Sequence, residues 1–367
     1  MMRTFFWAII SLLLPASVAA QSTQKLSASK ISEYGIIYRL PTTAVDITVE
    51  AEKTVEKPGE FHRYAVKYFG SSEKVITAEK VSWRVKSVTL STRGVAVDTL
   101  SYLAQFKAGS AATLIVNEQM IPLALNTDKT LDIAAAKLPV ERQAEPTPLQ
   151  SEAARQVMSE EMMQSQSIAK RAEIAAASLF ALRQSRSEII SGQAETMPPD
   201  GHALQLVLER IDAQERALTA MFLGTTQTST QVRTFSFIPD KDIDSTTTTI
   251  ARLSQTEGIV NADNLAGDPI NIALNVMTRG ELPKNDKGET KRFPKGGVAY
   301  CIPGRAALTA EFDGEVMAQT TFDAAQFGMV FGIDPAIFTD KKAPAFAIFN
   351  PVTGAITQIG QAVQSPE

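Results

Sequence analysis

Few residues in this chain are of a kind that could do chemistry. The 367 residues include two histidines, His62 and His202, and one cysteine, Cys301. A zinc site draws three or four ligands from Cys, His and carboxylates, and neither histidine has a second His or Cys nearby in sequence. Both therefore read as structural or solvated, and no metal ligand is assigned. Cys301 lies in the apolar run Gly297-Val298-Ala299-Tyr300-Cys301-Ile302. That setting suits a small buried hydrophobe better than a nucleophile. Asp240-Lys241-Asp242-Ile243-Asp244-Ser245 begins like a calcium loop. It lacks the glycine at the sixth position and has Ala251 where the bidentate glutamate belongs. Asn261-Ala262-Asp263-Asn264 and Asp268 could bind a cation but are also ordinary turn residues.

No stretch matches a P-loop, a dinucleotide fingerprint, a nucleophile elbow or a zinc-protease helix. No catalytic residue and no cofactor is assigned. Carboxylate pairs of the glycosidase type are set by distance in space and leave no local signature. A periplasmic hydrolase, with carboxylates assembled from distant loops, therefore stands as the alternative function. Charge narrows the partners. With 36 Lys+Arg against 40 Asp+Glu, the net charge is −4, which excludes a generally basic nucleic-acid binder. The run Lys284–Arg292 reads as a solvated loop of mixed charge.

An address precedes the fold. Residues 1–20, MMRTFFWAIISLLLPASVAA, combine Arg3, an apolar run from Phe5 to Leu14, and small residues Val18-Ala19-Ala20. This is the layout of a cleaved secretory signal, with Gln21 as the expected mature N-terminus. A run of about ten apolar residues is too short for a membrane anchor, which needs about 20. No later stretch reaches that length. The expectation is an exported protein, periplasmic or cell-surface associated, in a Gram-negative bacterium, with no transmembrane segment after signal removal.

The elements that must position any site come next. Val45, Ile47, Val49 and Ala51 alternate with Asp46, Thr48, Glu50 and Glu52, predicting a strand with one buried face. A short helix is expected from Glu60 to Phe69, ending at Gly70. Further strands are expected at 81–91, 95–106, 112–116 and 119–125. The stretch 128–146 loses this pattern and ends in Glu145-Pro146-Thr147-Pro148. Thr147, Pro148 and Gln150 then form a helix start. No Gly or Pro follows until Gly192, and an unbroken helix over that stretch is about 65 Å long. Ile168, Ala172, Ala175, Leu179, Leu182 and Ile189 follow coiled-coil spacing, with Arg186 in the missing place.

A turn at 193–199 leads to a second helix capped by Asp200, carrying Leu204, Val207, Ile211, Leu218 and Met221 and ending at Gly224. By residue count it is about half as long as the first, so the first helix overhangs. Met158, Met162 and Met163 lie on that overhang and are the candidate partner-binding residues, because methionines make adaptable contact surfaces. Strands return at 226–238 and 246–253. A hairpin is expected around Asp313-Gly314, a dipeptide suited to a type I′ turn, and another around Asn350–Gly354. The fold class is α+β: two β-rich domains, mainly antiparallel, at 21–146 and 225–367, separated by a long antiparallel helical hairpin at 147–224.

Gly35–Ala44 and Gly297–Ala306 align without gaps, sharing Gly, Tyr, Pro and Ala. They read as a duplicated strand-corner-strand unit, with the proline ending one strand. The runs Tyr34–Pro41, Val49–Thr54 and Lys57-Pro58-Gly59, with Phe222-Leu223-Gly224, Phe237-Ile238-Pro239-Asp240, Gln326-Phe327-Gly328 and Phe349–Ala355, carry a resemblance. Together they resemble an uncharacterised family of exported proteins, a domain of unknown function common in Bacteroidetes-type bacteria. The resemblance implies an envelope location and one evolutionary unit, and it supplies no activity. The expected function is a non-enzymatic envelope protein, a binding or scaffold module with an envelope protein as partner.

Overall fold

The computed structural model describes residues 33–70, 75–107, 112–131, 157–196, 201–340 and 344–361. The expected signal at 1–20, most of the boundary at 128–146, the helix start at 147–150 and the Asp200 cap lie outside the described residues.

Strand β1 (Glu33–Lys57) pairs antiparallel with β2 (Lys80–Lys107) along nearly its whole length. Between them sit a 3-10 turn, His62–Tyr64, and helix α1 (Ala65–Phe69), which ends at Gly70 with φ 78°. Strands β3 (Leu114–Val116) and β4 (Pro122–Leu125) form a short hairpin. Helices α2 (Glu160–Gln164), α3 (Ile168–Ser191) and α4 (Gly201–Leu223) follow. The chain then returns to strands: β5 (Thr225–Phe237), β6 (Ser245–Ser254), β7 (Gly258–Asn261), β8 (Asp268–Thr278), β9 (Val298–Phe312), β10 (Glu315–Ile333), β11 (Ala345–Phe349) and β12 (Ile356–Gln361). The result is a mixed α+β protein whose paired strands run antiparallel.

Three sheets result, in the orders β2-β1-β5, β10-β9-β8-β6-β7 and β12-β11-β4-β3. The alternation in β1 is realised: Val45, Ile47, Val49 and Ala51 are fully buried. They pack against Leu253, Ile270, Ile272 and Leu308 of the five-stranded sheet in one core. A second core joins Tyr38, Leu40, Phe106 and Leu125 to Val298, Ala299, Ala347 and Phe349. Burying each large aliphatic or aromatic side chain contributes about 1.5–3 kcal/mol. Both cores, and the β4–β11 pairing, cross the division between 21–146 and 225–367.

The two aligned runs each lie at a register shift, offset by one position between them. Between Arg39↔Ser101 and Pro41↔Ala96, the single residue Leu40 faces Val97–Leu100. Between Ile302↔Met329 and Gly304↔Ala324, the single residue Pro303 faces Ala325–Gly328. At each shift the strand passes from the second core to the first. The expectation that proline ends a strand is corrected here: both strands run on through it. The ladder loses register at these points, so the missing proline N–H leaves little unpaired. The hairpin turn at Asp313-Gly314 is as expected, with φ 51° and 78°.

The helical region corrects two further expectations. The stretch before Gly192 is not one helix, because Ser165 is extended and α3 starts afresh at Ser167. The Ser159 and Ser167 hydroxyls accept from the backbone N–H groups of Met162 and Lys170. Serines compete for the backbone in this way and favour helix ends. With 24 and 23 residues, α3 and α4 are also nearly equal in length, so no long first helix overhangs. Gly192, in the left-handed region, ends α3 as expected.

Candidate functional site

Among the described residues, the helical hairpin is anchored at its base. Ala172, Ala175, Ala176 and Leu179 of α3 pack with Leu218, Met221 and Phe222 of α4 in a third core. Phe222 is central: its ring centroid lies 5.4 Å from Phe61, 5.7 Å from Tyr68 and 5.3 Å from Phe69. The Phe61 N–H donates to Met221 O at 2.7 Å. A Cβ on Gly59 would sit 2.3 Å from that same oxygen, so only glycine allows this approach. Arg171 pairs with Glu60 at 2.7 Å.

Further from this base the apolar stripe is less covered: Leu182, Ile189 and Leu204 are half-buried. Ile190 lies three turns after Leu179 and Val207 one turn before Ile211, on the same helix faces as the buried residues. Ile190 is 66% exposed, Leu206 53% and Val207 36%. Between base and tip, Arg186 takes the seam position and pairs with Asp212 at 3.1 Å and Glu215 at 3.8 Å. Among the described residues the hairpin is therefore apolar and packed at its base, ionic at mid-length, and carries exposed apolar side chains on its far half.

The three candidate methionines differ in exposure. Met162 is 1% exposed and belongs to the third core, Met158 packs against it, and Met163 is 61% exposed. Of the exposed tip residues, Val207 belongs to the periodic stripe of the sequence, while Ile190 and Leu206 do not. Whether that stripe is covered depends on α1 and α2, which cover only its base.

The other candidates are dispersed over the fold. His62 Nδ1 lies 2.8 Å from Gly59 O, and His202 is exposed in the first turn of α4. Cys301 is buried, its thiol is pushed up to about 12 by that burial, and Sγ contacts Ala325 O at 3.5 Å. Burial likewise raises the Tyr38 hydroxyl above its ordinary range, and that hydroxyl donates to Ala299 O at 2.9 Å. Asp240 Oδ1 accepts from Asp242 N–H at 2.9 Å, while Asp244 pairs with Arg279. Among the described residues, no three His, Cys, Asp or Glu side chains are grouped to hold a metal ion. No helix among them is long and apolar enough to cross a membrane.

A polar hub joins the two ends of the chain. Thr43 N–H donates to Gln326 Oε1 at 3.0 Å, and Gln326 Nε2 donates to Thr43 O at 2.9 Å. The Thr43 hydroxyl donates to Val352 O at 3.1 Å and accepts from Ala325 N–H at 3.0 Å. Gln326 Nε2 also reaches Pro239 O at 3.4 Å. The side-chain amide thus stands in for a strand at the free edge of β1, beside the point where β5 begins to pair at Val45. Sequence reasoning missed this hub, because Thr43 lies more than 280 residues from Ala325, Gln326 and Val352 and its members carry no local signal.

A family model described as Domain of unknown function (DUF4831) matches residues 34–357. The chain belongs to this family. No curated protein and no solved structure matches it. In this DUF4831 protein the motifs that carried the resemblance meet in space. Pro239, Gln326 and the 350–354 turn converge on Thr43, and Phe222-Leu223-Gly224 closes the hairpin base. Gly224, at φ 91°, stands where a Cβ would be 2.5 Å from Lys57 O. These motifs hold the body together and present the hairpin tip.

Proposed function

We propose that this DUF4831 protein is a non-enzymatic, exported envelope protein acting as a binding or scaffold module. Its β-rich ends at 21–146 and 225–367 serve as a platform, and the helical hairpin at 147–224 serves as the docking arm for an envelope protein partner. In this reading residues 1–20 are a signal removed on export, and the mature chain works in the periplasm or at the surface of a Gram-negative cell of the Bacteroidetes type. The observation that carries the proposal is the exposure of Ile190, Leu206 and Val207 on the far half of the hairpin, Ile190 and Val207 continuing the faces that are buried at its base. Exposed apolar side chains gathered at the end of an anchored element mark interaction sites. Met163, exposed beside the base, is a separate candidate contact at the opposite end of the arm. Met158 and Met162 support it from beneath.

The test is capture of partners from detergent-solubilised envelopes by the tagged mature protein and by a variant with Ile190, Leu206 and Val207 changed to Gln. A stoichiometric partner lost with the variant, at unchanged melting temperature, supports the docking arm. A partner held equally by both forms contradicts it. A variant that melts well below the parent shows the stripe to be packing surface.

A further inference from the structure

Edge strands expose unpaired backbone groups, and stable proteins protect them. Here three edges are covered by side chains. Gln255 accepts from Trp83 N–H at 3.1 Å and donates to Trp83 O at 3.3 Å on β2. Gln231 accepts from Ile259 N–H and Arg233 donates to Ile259 O, both at 2.8 Å, on β7. Gln326 covers β1 at Thr43 as described above. Strand β10 ends the five-stranded sheet and differs. Between its register shifts at Val316/Ala318 and Ala324/Met329 runs an unbroken seven-residue segment, Ala318–Ala324, paired to β9 on one side. Its other side receives no hydrogen bond among the described residues. The segment, Ala-Gln-Thr-Thr-Phe-Asp-Ala, holds no Lys, Arg or Pro.

We propose that this edge pairs antiparallel with the same segment of a second copy, about a two-fold axis at Thr321, joining two five-stranded sheets into one. The register is self-complementary. Centred on Thr321, it sets Ala318 against Ala324, Gln319 against Asp323 and Thr320 against Phe322, each pair occurring twice, with Thr321 against itself. Gln319, Thr321 and Asp323 are exposed on one face, and Phe322 and Ala324 are buried on the other, so directly opposed residues share a face. The Gln319 amide then donates to the Asp323 carboxylate of the other copy, and no two like charges oppose each other. A second extended main chain satisfies alternating N–H and C=O along the whole of such an edge at once, and in a two-fold dimer the same patch supplies both sides.

The experiment uses the mature chain in sedimentation velocity over a concentration series, together with disulfide trapping. Directly opposed residues have Cβ atoms about 4.5–5.5 Å apart, within small adjustment of a disulfide. T321C is therefore expected to form a covalent dimer under mild oxidation, and T309C, on the same face but in mid-sheet, is not. Gln319→Glu, which sets two carboxylates opposite each other twice per dimer, should raise the dimer dissociation constant roughly tenfold. Gln319→Lys should lower it. A monomer at every concentration, with T321C trapped no better than T309C, overturns the proposal. So does a dimer indifferent to both Gln319 variants, since it must then use another surface. Neither result bears on the hairpin tip.

Discussion

Each polar group of Thr43 has a partner, and Gln326 or the 350–354 turn supplies most of them. A buried donor or acceptor left unmade costs about 1–3 kcal/mol. Thr43→Val strands Val352 O and Ala325 N–H, and Gln326→Leu strands the Thr43 main chain. Each should lower unfolding free energy in urea by roughly 2–4 kcal/mol, and the double variant by less than the sum, because the two share one network. Cys301 gives a pH-dependent counterpart. Its thiol is pushed up to about 12 in the folded chain against an ordinary 9.0. Below pH 9 both states are protonated and the thiol has no effect on stability. Above it the unfolded chain ionises first, so stability falls with rising pH until the folded thiol also ionises. Between pH 8 and pH 10 the urea midpoint of the parent should fall further than that of Cys301→Ala; equal falls would mean an accessible thiol.

Helix ends and turns were the most legible elements. Gly70, Gly192, Gly224 and Asp313-Gly314 all stand where the chain needs a positive φ, and glycine and Asp-Gly are the residue types that supply it most readily. Two of these glycines should nevertheless behave differently. A Cβ at Gly192 meets nothing within 4 Å, while one at Gly224 meets the Lys57 carbonyl and Ile76. Gly192→Ala should cost about 1 kcal/mol of backbone strain. Gly224→Ala adds a clash with backbone and should cost several times as much, read from denaturation midpoints of the two variants. The break at Ser165–Ser167 was less legible. Serine is tolerated within helices, and only the capping geometry shows that Ser167 starts one. Similarly, coiled-coil spacing marked the seam but could not say where other elements cover it.

At the scale of the molecule, the alternation in β1 announced a buried face without naming its cover, which comes from β6, β8 and β9. Long-range pairing of this kind leaves no trace in local sequence. The two Tyr-x-x-Pro runs were visible, and in both long hairpins the ladder shifts register where one core gives way to the other. Shared cores predict shared unfolding. A chain beginning at Gln21 has Trp83 as its only tryptophan and Cys301 as its only thiol, so fluorescence and thiol labelling report on opposite ends. Their urea midpoints should coincide; separated midpoints would mean two independently folding ends.

The functional account rests on the open tip of the hairpin, and photo-crosslinking in intact cells addresses it most directly. A photoreactive residue at Leu206 is compared with one at Thr247, on the exposed face of β6. The account predicts a discrete adduct to one envelope protein from position 206, absent from position 247 and lost when Ile190 and Val207 are changed to Gln. An adduct from position 247 alone, or none from either, would contradict a docking role for the hairpin and return attention to the β-rich body.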